Sequence, residues 1–178
     1  MRIRSWLGGT IKSRYSNEGA YDVANSDYQV LRELFKKDIL RGSVVLDVGC
    51  GKGRFINFAL KNNVQNIVGI EIDELVAKKT SKIFSNIKNV EVINVDATAY
   101  ISKQSFDIVY MYNPFSKEVV EKFFNSAVSY KVITNRTTVY YFNPKHIDSV
   151  PETLFDCRVE SVPNTNKSVG IIRLKQEV

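Results

Sequence analysis

Residues 44–55 read VVLDVGCGKGRF, and this stretch decides how the rest of the chain is understood. Val44-Val45-Leu46-Asp47-Val48 is an apolar, β-branched run with one acid inside it, as in a buried strand. Gly49, Gly51 and Gly53 follow at alternate positions, and RFINFALKNN then has helical spacing. Glycines permit a tight turn and let the backbone approach a ligand closely. The helix that follows presents free N–H groups at its first turn. The segment is therefore a ligand-binding corner. It is not a dinucleotide fingerprint, because Arg54 stands where Gly-x-Gly-x-x-Gly needs its third glycine. Nor is it a Walker loop, because no Gly-Lys-Ser/Thr follows at the required distance.

Outward from this corner, strands alternate with helices. Ser26 opens a helix with Gln29 in capping-box position, and Val30, Leu31, Leu34 and Phe35 form its apolar stripe, extended by Ile39 and Leu40. Further strands are expected at 66–72, 90–95, 106–112 and 137–142. Helices are expected from Glu74, capped by Asp73, and over 116–130, with a short helical stretch after Asp96. Two β-rich segments, LFDCRVESV and SVGIIRLK, close the chain around the turn-rich PNTNK. Alternation of this kind means a sheet covered on both faces. The expected fold is α/β: a doubly wound, seven-stranded, mostly parallel sheet with a C-terminal antiparallel hairpin. Ligands of such sheets lie at the carboxyl ends of the strands.

The chain has 178 residues, which suits one domain with a core large enough to need no staple. Residues 1–24 are expected to form an N-terminal arm or lid and 25–178 the catalytic core. No run of 18 apolar residues suggests a membrane span, and MRIRSWLGGTIKSRY lacks the apolar stretch of a secretory signal. Cys50 and Cys157 are far apart without metal-ligand spacing, which suits a reducing cytoplasm. Net charge is +6, and Arg2, Arg4, Lys12 and Arg14 against Glu18 supply +3 of it. With Trp6 and Tyr15 among them, this arm could meet phosphate, nucleic acid or acidic lipid, or simply fold over the domain.

Three further features join the glycine corner. Glu71 closes the second strand 24 residues after Asp47, Asp96 closes the third in NVDAT, and Asn113-Pro114-Phe115-Ser116 ends the fourth. Taken in order, residues 44–115 resemble the motifs of class I methyltransferases that use S-adenosylmethionine. That resemblance implies a cofactor site built from Asp47, Gly49, Cys50, Gly51, Gly53, Glu71, Ile72, Asp96, Ala97 and Asn113. It implies that Glu71 takes both ribose hydroxyls, as a carboxylate can. Asp96 would read the adenine amino group, and the Ala97 N–H would serve a ring nitrogen. Asn113, Pro114 and Phe115 would form the catalytic floor. Other readings of the same residues stand beside these: Asp47 and Asp96 as caps, Asp73 as a helix N-cap, Cys50 as a small packing residue.

The acceptor is less legible. Asn-Pro followed by an aromatic resembles the signature of enzymes that methylate planar amino groups, but here it is one proline short. Phe142-Asn143-Pro144 repeats it at the end of the fifth strand, which suggests a shared way of opening the crevice. Proline biases the residue before it to extended geometry. His146, the only histidine, follows that strand and is a candidate substrate contact or base. Tyr15, Tyr21 and Tyr28 are candidate contacts to the methionine end or the acceptor. The layout is also similar to small bacterial methyltransferases, some linked to surface polysaccharides. Three classes remain: a methyltransferase for a small polar acceptor such as a sugar hydroxyl, an amino-group methyltransferase for nucleic acid or protein, and a non-catalytic cofactor-binding module. Nothing in the sequence speaks to oligomeric state.

Overall fold

The computed structural model describes residues 11–23, 26–36 and 38–176. Arg2, Arg4 and Trp6 of the basic arm lie outside them. Seven strands form one sheet in the order β3-β2-β1-β4-β5-β7-β6. They are β1 (Val44–Val48), β2 (Asn66–Glu71), β3 (Val90–Asn94), β4 (Ile108–Tyr112), β5 (Thr138–Phe142), β6 (Phe155–Ser161) and β7 (Ser168–Leu174). The first five run parallel, and β7 is antiparallel to both β5 and β6. The hairpin therefore inserts its second strand beside β5 and leaves β6 at the edge, where its side chains are largely exposed. β3 occupies the other edge and is only half buried.

Side chains alternate between two cores, as a pleated strand requires. Leu46, Val48, Val109, Met111, Val139 and Tyr141 point into one. Val45, Ile108, Tyr110 and Phe142 point into the other. Helix α4 (Lys117–Ser129) covers the first core through Val120, Phe123 and Phe124. Helices α1 (Tyr28–Leu34), α2 (Arg54–Lys61) and α3 (Glu74–Phe84) supply Leu31, Phe55, Ile56 and Phe84 to the second. Sequence order reverses between β1 and β4, so the crevice at their carboxyl ends is the expected ligand position. No helix among the described residues is long and apolar enough to cross a membrane.

The first helix departs from expectation at both ends. Its N-cap is Asp27, whose side chain accepts from the Gln29 N–H, and not Ser26. The Ser26 hydroxyl is spent on a buried hydrogen bond of 2.7 Å with the Tyr110 hydroxyl. The helix stops at Leu34, so Leu40 reaches the core from a turn and Ile39 is exposed. A second departure concerns the twin Asn-Pro endings. Asn113 and Asn143 adopt φ of 37° and 51°, not the extended geometry expected before proline. Asparagine tolerates left-handed backbone better than other non-glycine residues, and here it turns both chains out of the sheet.

Candidate active site

The glycine corner turns β1 into α2 beneath the carboxyl end of the sheet. Gly49 and Gly51 both have positive φ, of 70° and 50°. A side chain at Gly49 would come within 2.9 Å of the Pro114 ring, and one at Gly51 within 2.5 Å of the Val23 side chain. These two glycines let the end of β4 and an N-terminal segment close in on the loop. Cys50 is buried and packs against Gly69 on β2, and burial pushes its thiol well up. It is a packing residue that also lines the hollow described next.

Two acids sit over this loop. Asp47 is 3 % exposed, and its Oδ2 has no hydrogen-bond partner among the described residues. Burial, and then the nearby Glu71, push its carboxyl well above the usual range. Glu71 is 6 % exposed, and burial also raises it. It is nonetheless anchored: Oε2 accepts from the Gly51 N–H at 2.9 Å and Oε1 from the Asp73 N–H at 3.0 Å. Each oxygen keeps a lone pair for another donor. Asp73 caps α3, accepting from the Val76 N–H at 3.0 Å, and is paired with Arg14. The Arg14 guanidinium holds that carboxyl below its ordinary range.

A hollow of about 60 Å³ lies between these groups, lined by Asp47, Gly49, Cys50, Glu71, Tyr21 and Pro114. A second hollow of about 280 Å³ adjoins it, lined by Asp96, Ala97, Thr98 and Val119 among others. Ala20, Ile72 and Phe115 border both. Asp96 caps the 3-10 turn Ala97–Ala99, its Oδ1 accepting from the Thr98 N–H at 2.8 Å. Gly53 serves α2 as its N-cap, and Gly53 and Asn113 line neither hollow.

The roof is the N-terminal strap, residues 11–23. Ile11 and Val23 pair antiparallel, and a 3-10 turn, Ser16–Glu18, ends at Gly19. Ala20 then bridges Phe115: the Tyr21 N–H donates to the Pro114 carbonyl at 2.9 Å, and the Ser116 N–H donates to the Gly19 carbonyl at 2.7 Å. The Tyr21 hydroxyl shares a 2.8 Å hydrogen bond with His146 Nε2. On the far side, the Tyr141 hydroxyl donates to Asn113 Oδ1 at 3.1 Å, and the His146 backbone lies near it. Burial pushes that phenol up to about 12. Hydrogen bonds thus join Tyr141 to Asn113, and Tyr21 to His146 and Pro114, over the ends of β4 and β5.

Of the three tyrosines singled out in the sequence, Tyr21 alone lines a hollow. Tyr28 is turned to α2, where Asn57 donates to its hydroxyl at 2.8 Å and the Arg54 guanidinium lies 5.0 Å from its ring centre. Tyr15 caps the 3-10 turn of the strap. Sequence reasoning missed Tyr141 and Lys52. Tyr141 sits on the sheet face that points towards the Asn-Pro crevice, a parity visible in TVYYF once the strand is placed. Lys52 lines the first hollow from within the glycine loop.

Residues 45–130 match the family model of a methyltransferase domain. Those residues, just under half of the chain, form a domain of that family. That family uses S-adenosylmethionine. Over 79 residues the methyltransferase segment is 37 % identical to a protein of Arabidopsis thaliana named "Probable protein arginine N-methyltransferase 3", a match taking in 42 % of this chain and 13 % of that one. Over 73 residues it is 34 % identical to an rRNA adenine N-6-methyltransferase of Bacteroides fragilis, covering 40 % of this chain and 27 % of the relative. The chain thus spans well under half of either relative's length. Among solved structures, yhhF from Escherichia coli superposes with a TM-score of 0.70 at 17 % identity, over 95 % of this chain and 100 % of that one. Likeness at that identity shows the fold alone.

Proposed function

We propose that this protein transfers the methyl group of S-adenosylmethionine to a hydroxyl of a small polar acceptor. The residues present fit the cofactor. A buried carboxylate oxygen without a partner, Asp47 Oδ2, is costly unless a cation or donor meets it. The cofactor offers an α-ammonium and a sulfonium. Glu71 would hold the two ribose hydroxyls on its free lone pairs, its rotamer fixed by the Gly51 and Asp73 amides. Asp96 and the Ala97 N–H would take the adenine edge in the larger hollow. Ile72 would lie under the base. When bound, the cofactor supplies an electrophilic methyl, so the protein's task is mainly to align an acceptor about 3 Å from it.

The observation that favours a hydroxyl acceptor is the state of the Asn-Pro ending. An amine clamp would offer the Asn113 side-chain oxygen and the Pro114 carbonyl to a planar amino group. Each already accepts one donor, Tyr141 and the Tyr21 amide, so an amine would have to compete with them or use the remaining lone pairs. Phe115 is buried beside Phe123 and bridged to Ala20, so little of its ring is open for stacking. A second reading, methylation of an amino group on nucleic acid or protein, draws support from the net charge of +6 and from what the two partial relatives are named for.

Incubation with S-adenosylmethionine carrying a tritiated methyl, against cell extract separated into RNA, protein and small molecules, tests the proposal. Label in the small-molecule fraction is the expected result. Label confined to RNA or protein would overturn it in favour of the second reading.

A further inference from the structure

We infer that Tyr21 and His146 act as the proton-accepting pair of the acceptor site, with the Tyr21 hydroxyl touching the acceptor and His146 taking the proton. This rests on the hydroxyl-methylation reading above and deepens it. Four observations carry it. Tyr21 lines the hollow that also holds Asp47 and Glu71, yet it is 40 % exposed, so it faces both the cofactor position and solvent. Its hydroxyl is 2.8 Å from Nε2 of the only histidine in the chain. Its backbone N–H donates to the Pro114 carbonyl at 2.9 Å, and the His146 carbonyl accepts from the Ser149 N–H at 3.1 Å. Both members of the pair are thus held by main-chain contacts that leave their side chains free to exchange protons. Finally, an exposed hydrogen bond between side chains competes with water and adds little to folding, so fold stability does not account for the arrangement.

The chemistry balances within the pair. As the acceptor oxygen bonds to the methyl carbon, the methyl–sulfur bond breaks and its electron pair stays on sulfur. The acceptor's proton passes to the Tyr21 oxygen while the Tyr21 proton moves to Nε2. The imidazolium then loses its proton to solvent. Histidine suits this because its ordinary pKa lies near neutrality. The titratable and charged groups around the pair are Lys145, over the Tyr21 ring, Glu118 from the head of α4 and Tyr141 from β5. Lys145 Nζ lies 5.8 Å from the centre of the Tyr21 ring.

The test has two arms. Because the chain has one histidine, its imidazole gives a single set of NMR signals. Their pH titration, followed in the wild-type protein and in Tyr21→Phe, should show a displaced midpoint in the variant. An unchanged midpoint would overturn the pairing whatever the acceptor is. The second arm measures single-turnover methyl transfer to the small-molecule fraction that takes label. His146→Gln keeps a hydrogen-bonding partner for Tyr21 but cannot take a proton. It should lose about 10²-fold or more in rate, with affinity for S-adenosylhomocysteine unchanged. The wild-type rate should rise with pH through the midpoint found by NMR, and that limb should vanish in the variant. A His146→Gln protein with the wild-type rate would overturn the proton role. Label recovered on nitrogen would instead sink the hydroxyl reading, leaving the NMR arm to judge the pair by itself.

Discussion

Two buried acids define the site at the scale of single residues, and they are held differently. Glu71 is anchored by two amides, whereas Asp47 keeps an unpartnered oxygen. Replacing Glu71 with Ala removes the proposed ribose contacts and should weaken S-adenosylhomocysteine binding by roughly 1.5–3 kcal/mol, read by calorimetry. Asp47 gives a pH prediction. Its carboxyl is raised in the folded state, so between the unfolded and folded pKa the native protein binds more protons than the unfolded one. Stability of the cofactor-free protein should therefore fall as pH rises above about 4, the ordinary aspartate value. In Asp47→Asn this dependence should flatten. The variant should melt higher than wild type at pH 8 without cofactor and bind S-adenosylhomocysteine more weakly. A steeper pH dependence in the variant would show that the raised carboxyl is not its source.

At the scale of elements, the strap covers the crevice and the Arg14–Asp73 pair pins it to the head of α3. Arg14 is half exposed, so the pair is partly screened by solvent and should matter to the strap's position more than to overall stability. Arg14→Ala should speed chymotryptic cleavage after Tyr15 and Tyr21 several-fold while leaving the melting temperature nearly unchanged. Equal cleavage rates would show that backbone contacts to Pro114 and Ser116 suffice. The elements were legible to different degrees. VVLDV and its glycine loop announce themselves because apolar pattern, turn chemistry and helix start agree over twelve residues. The strap does not, because its pairing with residues 114–116 is a contact across about a hundred residues that no local pattern encodes. The cap of α1 was misplaced for a related reason: Ser26 and Asp27 are both good caps, and Tyr110, far along the chain, claims the Ser26 hydroxyl. Asn113 and Asn143 turned left-handed where proline alone argues for extended backbone, since the asparagine side chain makes the turn cheap.

For the whole molecule, the reversal of strand order between β1 and β4 determines where the acids and the Asn-Pro ending meet, and two cores hold that geometry. Phe123 is fully buried, with Phe115 on one side and Phe124 on the other. Phe123→Ala should cost about 3–5 kcal/mol and lower the melting temperature by roughly 6–20 °C, measured by calorimetry. A loss below about 1 kcal/mol would mean that the α4 face collapses into the cavity more readily than close packing suggests. The central claim is that the molecule makes a methyl–oxygen bond on a small acceptor. Its most direct measurement is the NMR spectrum of the product formed from S-adenosylmethionine with an isotope-labelled methyl and the small-molecule fraction of an extract. The predicted resonance is that of a methyl ether or ester. A methyl resonance on nitrogen, or label found only on RNA or protein, would contradict the account.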